Sequence, residues 1–357
     1  MVEPPFCIER PTLFTDTELA PLGLTPFFAR ARQQAGRPDL TTARVASDLG
    51  ATLHLLTPDG RLVARGHPDA CVGDWVLVDV PEADAPASVV EVLPRATSLV
   101  RQAAGRATRA QAVAANLDTV FVVTAMDPDF NPRRLERYLV AVTGGGATPV
   151  VVLNKADLAL GQEGRYRRQV PDGVDVCVVS AVLDLGIDDL AAYAGPGQTV
   201  GFVGSSGVGK TSLINAMMGA EAGSVGEVRA GDRRGKHTTT RRELHQLPGG
   251  GLLLDTPGMR ELALWDDAGI DEVFADIVAH AEGCRFRDCG HAGEPGCAVQ
   301  AAVDDGELAA ERLASWHKLQ REVASQALRR DVAASRQERR RFAKVIKEAK
   351  KVGLRKR

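Results

Sequence analysis

The sequence predicts a multidomain chain: an N-terminal OB-like β-barrel, a central α/β domain with a mostly parallel sheet, and a C-terminal helical module folded round zinc. Three observations predict it. Short apolar runs broken by turn residues fill residues 45 to about 100. Longer apolar runs, several separated by helical segments, follow as far as 275. Three of the six cysteines then cluster around a histidine between 284 and 297. The length agrees, because 357 residues exceed one typical domain.

Taken in order, residues 1–44 are a mixed leader. Within it, LAPLGLTPFFARARQQ suits a short helix bordered by Pro and Gly, and no chemistry is assigned to it. Residues 45–105 form the barrel: ATLHLLTPDGRLVARG places two apolar runs around Pro58-Asp59-Gly60, and GDWVLVDV and SVVEVLPR continue the pattern. Small barrels often bind single strands, so Trp75 is either a ring for base stacking or part of the core.

Residues 106–275 carry DTVFVVTA, ATPVVVLNK, DVCVVSA, TVGFVGSS and GLLLDTPG, with the helical NPRRLERYLVAV among them. This is the rhythm of a parallel sheet with crossover helices. Ligands of such sheets sit at the carboxyl ends of the strands, where each motif below falls.

Residues 276–357 hold the cysteine cluster, a second helical pattern and a basic tail. Asp304 is expected to cap that helix, with Glu307 three residues on. Leu313, Trp316, Leu319 and Val323 share one apolar stripe, read as core packing. From Arg329 to Arg357 basic residues far outnumber Asp331, Glu338 and Glu348, a tail suited to an RNA backbone.

The overall formal charge of -2 excludes a chain-wide polycation. No apolar run is long enough to cross a bilayer, and no secretory leader is recognisable. The expected setting is a reducing cytoplasm, where clustered cysteines point to metal rather than disulfides.

GSSGVGKTS satisfies G-x-x-x-x-G-K-T between a strand and a helix. Gly204, Ser205, Ser206, Gly207, Val208 and Gly209 can curl their N–H groups around an anion, and the start of the next helix adds partial positive charge. Lys210 is expected to reach the β- and γ-phosphates and Thr211 to offer its hydroxyl to Mg²⁺, with Ser212 closing the loop. LLLDTPG supplies the companion: Asp255 holds Mg²⁺ through water, and the Gly258 N–H meets the γ-phosphate. Between them RAGDRRGKHTTTRRE offers Thr238, Thr239 and Thr240 to Mg²⁺, with Thr239 preferred.

VVVLNKADLA adds a base reader. The Asp157 carboxylate can accept from guanine N1–H and the 2-amino group. Adenine would leave those groups unpaired at about 1–3 kcal/mol each. Asn154 steadies the loop, the Lys155 stem covers the ring, and Ser180-Ala181 can bring a backbone N–H to guanine O6. The base loop therefore precedes the phosphate loop. Such an order needs only spatial neighbours, and circular permutation is tolerated where termini lie close. It also leads the chain from DTPG directly into the cysteine module, so motion at the γ-phosphate can pull on that module.

Where many GTPases have a Gln after D-x-x-G, this chain has Met259, which cannot orient water. Slow intrinsic hydrolysis is expected, with a partner or another group helping. His237 is the candidate, weighed against loop packing or RNA contact. Cys284, Cys289, His291 and Cys297 suit a closed, tetrahedral, structural zinc site.

NKAD, SA, GSSGVGKTS, GKHTTT, DTPGM and C-x4-C-x-H-x5-C, in this order, closely resemble the small ribosomal subunit-dependent GTPase family RsgA over about residues 45–330. The resemblance implies an OB barrel, a circularly permuted GTPase domain and a zinc-binding domain. It implies a factor that binds the small (30S) subunit and its 16S-type rRNA late in maturation, near the decoding region. Hydrolysis of GTP to GDP and phosphate would be subunit-stimulated and coupled to release. A cytoplasmic monomer without membrane contact is expected. Two other readings stay open: a ribosome-binding nucleotide switch with negligible hydrolysis, and another P-loop NTPase or kinase, against which Asp157 and Ser180-Ala181 argue.

Overall fold

The computed structural model describes residues 13–81, 85–102, 110–219, 242–255, 262–264 and 267–329. The leader is helical, with α1 (Asp16–Leu19) opened by a capping box between Thr15 and Glu18, and α2 (Pro26–Ala35) opened by Pro26 and closed by Gly36. Leu19 of α1, Leu22 of the turn that follows it and Phe28 of α2 pack in one cluster with Trp75 and Leu77 on the outside of the barrel.

The barrel uses β1 (Thr41–Asp48), β2 (Thr52–Thr57), β3 (Gly60–Arg65), β4 (Trp75–Asp79) and β5 (Ala87–Val92). β1–β2–β3 is an antiparallel meander, β3 pairs parallel with β5, β5 pairs with β4, and β4 closes onto β1. The expected OB-like barrel is therefore a closed five-stranded one. Alternate residues, among them Ala43, Val45, Leu53, Leu55, Val76 and Val78, fill its interior. Trp75 is 0% exposed and lies 6.1 Å from Phe28, ring to ring. It is core, and the base-stacking reading is withdrawn: the leader helices cover the face that a base would need.

A hairpin, β6 (Ser98–Gln102) with β7 (Ala110–Ala115), links barrel and α/β domain. It spans the position, 105, at which the sequence suggests dividing them. The α/β sheet then builds from β8 (Thr119–Ala125), α3 (Pro132–Gly144), β9 (Thr148–Asn154), α4 (Glu163–Arg167), β10 (Asp175–Val178), α5 (Ile187–Ala191), β11 (Thr199–Gly204), α6 (Lys210–Met217), β12 (Glu243–Gln246) and β13 (Leu252–Asp255). The order β10-β9-β8-β11-β13 is parallel throughout, and β12 adds antiparallel to β13. Both faces are covered, as a parallel sheet requires. On β8, Phe121 and Val123 face α5 and α6, while Val120 and Val122 face the core that includes α3 residues.

α7 (Ile270–Val273), α8 (Ala275–Ala281), α9 (Ala298–Asp304) and a helix over 310–329, α10, complete the described chain. Asp304 ends α9 instead of capping the next helix, because Asp305–Gly306 turn the chain there and α10 begins only at 310. The stripe on α10 does pack inward: Leu313 and Leu319 are buried, and Trp316 and Val323 lie against the same core.

One residue ties three regions together. The guanidinium of Arg44, on β1, is fully enclosed and donates to Leu22 O in the leader, Gly73 O in the barrel, Asn116 O after β7 and Thr199 Oγ1 on β11, at 2.6–3.2 Å. Burial pulls its pKa down to about 10, with Asp118 and Asp74 opposing, so it stays charged at neutrality.

Candidate nucleotide site and metal centre

Because β8, β9, β10, β11 and β13 run the same way, their carboxyl ends, and the loops that follow, share one edge. β11 is buried over its whole length and delivers Gly204 to that edge, and the loop to Gly209 feeds α6. Two glycines are required by close approach. A Cβ at Gly204 would sit 2.3 Å from Val123 O, and one at Gly209 would sit 2.2 Å from Asn154 Nδ2. Both also have positive φ, which side chains resist.

The second contact joins the predicted loops. Asn154, 2% exposed, donates from Nδ2 to Val208 O at 2.8 Å. Its partner is backbone in the middle of the phosphate loop, 54 residues away in the chain. Lys155 follows in left-handed conformation (φ 63), and its ammonium pairs with Asp127 at 3.0 Å. Asp157 then faces Ser180, whose hydroxyl donates to Asp157 Oδ1 at 2.6 Å. The Ser180 N–H is engaged by Leu185 O, which leaves Ala181 as the N–H of that pair with no bond among the described residues. Ser180 thus acts through its side chain, orienting the carboxylate.

Lys210 Nζ lies across the loop and donates to Gly204 O at 2.8 Å and Ser205 O at 2.7 Å. Thr211 and Ser212 are exposed in the first turn of α6, and Asp255 ends β13. A cavity of ≈ 490 Å³ opens between the phosphate loop and the residues after β8, lined by Asp127, Arg134, Lys155 and Ser205 to Val208. His237, Thr238, Thr239, Thr240, Gly258, Met259 and the basic tail from 330 lie outside the described residues.

Asp127 and Arg134 are functional candidates that the motif reading missed. Both follow the carboxyl end of β8, and that position alone would have flagged them, since every parallel strand ends at the ligand edge.

The cysteine cluster closes as expected. Cys284 Sγ lies 3.6 Å from His291 Nδ1 and 4.0 Å from Cys297 Sγ; Cys297 Sγ lies 3.5 Å from the same nitrogen. With Cys289, all ligand atoms fall within 4.8 Å of one another. Tetrahedral zinc, with bonds of about 2.3 Å to sulfur and 2.0 Å to nitrogen, has ligand edges of roughly 3.5–3.8 Å, so the four atoms fit it. His291 takes φ 57 to aim its ring inward, and Trp316 of α10 packs 5.4 Å from that ring. Burial holds the His291 pKa below its ordinary value, so the neutral ligand form is favoured, with Glu294 opposing. Against the burial of its sulfur, the N–H groups of Val299 and Ala298 hold the Cys284 thiol below its ordinary pKa.

The chain is similar to known proteins over most of its length. A family model described as RsgA GTPase fits residues 92–265. A second, described as ABC transporter, fits residues 187–352, a span that includes the phosphate loop common to P-loop proteins. The small ribosomal subunit biogenesis GTPase RsgA of Opitutus terrae is 44% identical over 351 residues, covering 92% of this chain and 95% of that one. Its counterpart in Methanosarcina acetivorans is 45% identical over 284 residues, covering 78% and 77%. Among solved structures, YjeQ from Thermotoga maritima aligns with a TM-score of 0.59 at 26% identity, covering 79% of this chain and 98% of that one. YloQ, described as a circularly permuted GTPase, aligns at 0.58 and 25%, covering 80% and 96%.

Proposed function

The chain belongs to the RsgA family of GTPases, and from that premise we propose that it binds the small ribosomal subunit and its 16S-type rRNA, assists late maturation, and hydrolyses GTP to GDP and phosphate with subunit-stimulated turnover coupled to its release. The names of its relatives support the subunit as partner. The observation that carries the nucleotide site is the Asn154–Val208 bond, which seats the base loop on the phosphate loop in one cleft.

Within that cleft Asp157, aligned by the Ser180 hydroxyl, accepts from guanine N1–H and the 2-amino group. The Ala181 N–H serves O6, and the Lys155 stem, pinned by Asp127, lies over the ring. Asn154 holds the two loops together. The amides from Gly204 to Ser212 surround the phosphates, and Lys210 transfers its bonds from loop carbonyls to the β- and γ-oxygens. The Thr211 hydroxyl and, through water, Asp255 would hold Mg²⁺, with Thr239 joining, and the ion would neutralise phosphate charge. Gly258 senses the γ-phosphate. With Met259 in the usual Gln position, His237 or the subunit orients water. Cys284, Cys289, His291 and Cys297 hold structural zinc. The division is leader 1–44, barrel 45–105, GTPase domain 106–275 and zinc module with basic tail 276–357. The factor works as a cytoplasmic monomer. Among the described residues no helix is long and apolar enough to cross a membrane.

Phosphate release under multiple turnover, with and without purified small subunits at two salt concentrations, tests this. Stimulation that weakens as salt rises is expected, because rRNA contacts displace counterions. Negligible turnover even with subunits present would leave only a nucleotide switch, and turnover indifferent to subunits would remove the stimulation.

A further inference from the structure

We propose that Arg134 is a positioning residue for the phosphate loop, holding it in its receptive form from helix α3. The proposal rests on the nucleotide reading of the cleft and adds a residue that no motif contains. Arg134 Nη1 donates to Ser205 Oγ at 2.9 Å, across 71 residues of chain. Ser205 is the second residue of the loop, and its carbonyl oxygen also accepts from Lys210. Arg134 therefore grips the segment against which the phosphate-binding lysine rests. No carboxylate pairs with Arg134 among the described residues, whereas its neighbour Lys155 is neutralised by Asp127 in the same cavity.

The helix that carries Arg134 is unusually well fixed. Asn131 caps it, accepting from the Arg134 N–H at 3.1 Å, and Leu135, Tyr138 and Leu139 anchor it in the core. Two further α3 residues hold the C-terminal module: Glu136 meets Arg312 and Ser315, and Arg137 meets Glu322 at 2.7 Å. Arg134 thus extends from a helix held on both sides, which fixes where its exposed side chain starts its reach to Ser205.

The test uses the full-length, zinc-loaded chain with fluorescently labelled GDP and GTP. Arg134→Ala is expected to weaken both nucleotides by the same factor, about fivefold, the scale of one exposed hydrogen bond. Ser205→Ala should match it, and the double variant should lose no more than either alone. Arg134→Lys should recover part of the loss, and in turnover the loss should fall on KM and not on kcat. Loss confined to GTP would overturn the proposal in favour of direct contact with the terminal phosphate. Additive losses, or affinities equal to the unmodified chain, would overturn it outright. If the unmodified chain binds neither nucleotide, the reading of the cleft itself fails, a result distinct from these.

Discussion

The nucleotide cleft and the metal centre are built on opposite plans. The cleft is assembled from peptides far apart in the chain: Asn154 reaches Val208, Ser180 reaches Asp157, and Arg134 reaches Ser205. The parallel sheet, with α3 packed on it, brings those groups together. The metal centre takes all four ligands from residues 284–297, a stretch with little apolar content of its own. One site is held by a core, and the other is spaced to be held by an ion, with Trp316 packed on one ligand. Loss of the core would abolish the first, and loss of zinc would abolish the second while leaving the first standing.

The sharpest way to break that contrast is to remove the metal. Chelation, or Cys297→Ala, is expected to unfold the 284–297 segment, since structural zinc contributes on the order of 10 kcal/mol in small modules. GTP affinity should fall far less, because Asp157 and Lys210 stand on the sheet. Circular dichroism and nucleotide titration on one sample separate the two effects. Acidification should reproduce the loss, because ligand groups take up protons and release zinc as pH falls, while the lowered pKa of His291 extends its neutral form to lower pH.

Next in size are changes inside the cleft. Asp157→Asn keeps one acceptor oxygen but sets an NH2 donor against the second guanine donor, and should cost roughly 2–4 kcal/mol of GTP affinity, measured by titration, with the melting temperature nearly unchanged. The reverse split is expected of Arg44→Met. It strips the donor from three carbonyls and Thr199 Oγ1 and should cost about 3 kcal/mol or more of stability, read by denaturant unfolding, with little direct effect on guanine reading. The smallest effect is that of Ser180→Ala, about 1 kcal/mol in GTP affinity, because Asp157 keeps its place and loses one orienting bond. A loss as large as that of Asp157→Asn would mean that Ser180 does more than orient the carboxylate.

Much of this was legible along the chain. Phosphate loop, base loop and cysteine cluster are short motifs whose chemistry depends on residue type at fixed spacing, so each could be read without its surroundings. A small barrel followed from apolar runs and turn residues, but its closure by five strands did not, because β1 begins at Thr41, inside the stretch read as leader. Trp75 did not, because the same tryptophan serves as core or as a stacking platform according to what covers it, and the leader's Phe28 covers it. The expected cap at Asp304 failed for a related reason: a capping pattern is local, and here the preceding helix already used that residue.

By itself, then, the sequence determined the fold class, the motifs from which the nucleotide-binding groups are proposed, the cysteine–histidine group that could hold zinc, and the permuted order of the motifs, since all of these reside in local patterns. Only the tertiary structure decided that β12 would join the barrel to the α/β sheet through the Ser47–Glu243 pair, that Arg44 would fasten leader, barrel and β11, and that α3 would stand between the phosphate loop and the C-terminal module. Those are long-range contacts. Their partners carry no mutual signature in the chain, because an arginine bonded to a distant carbonyl oxygen meets a group that every residue possesses.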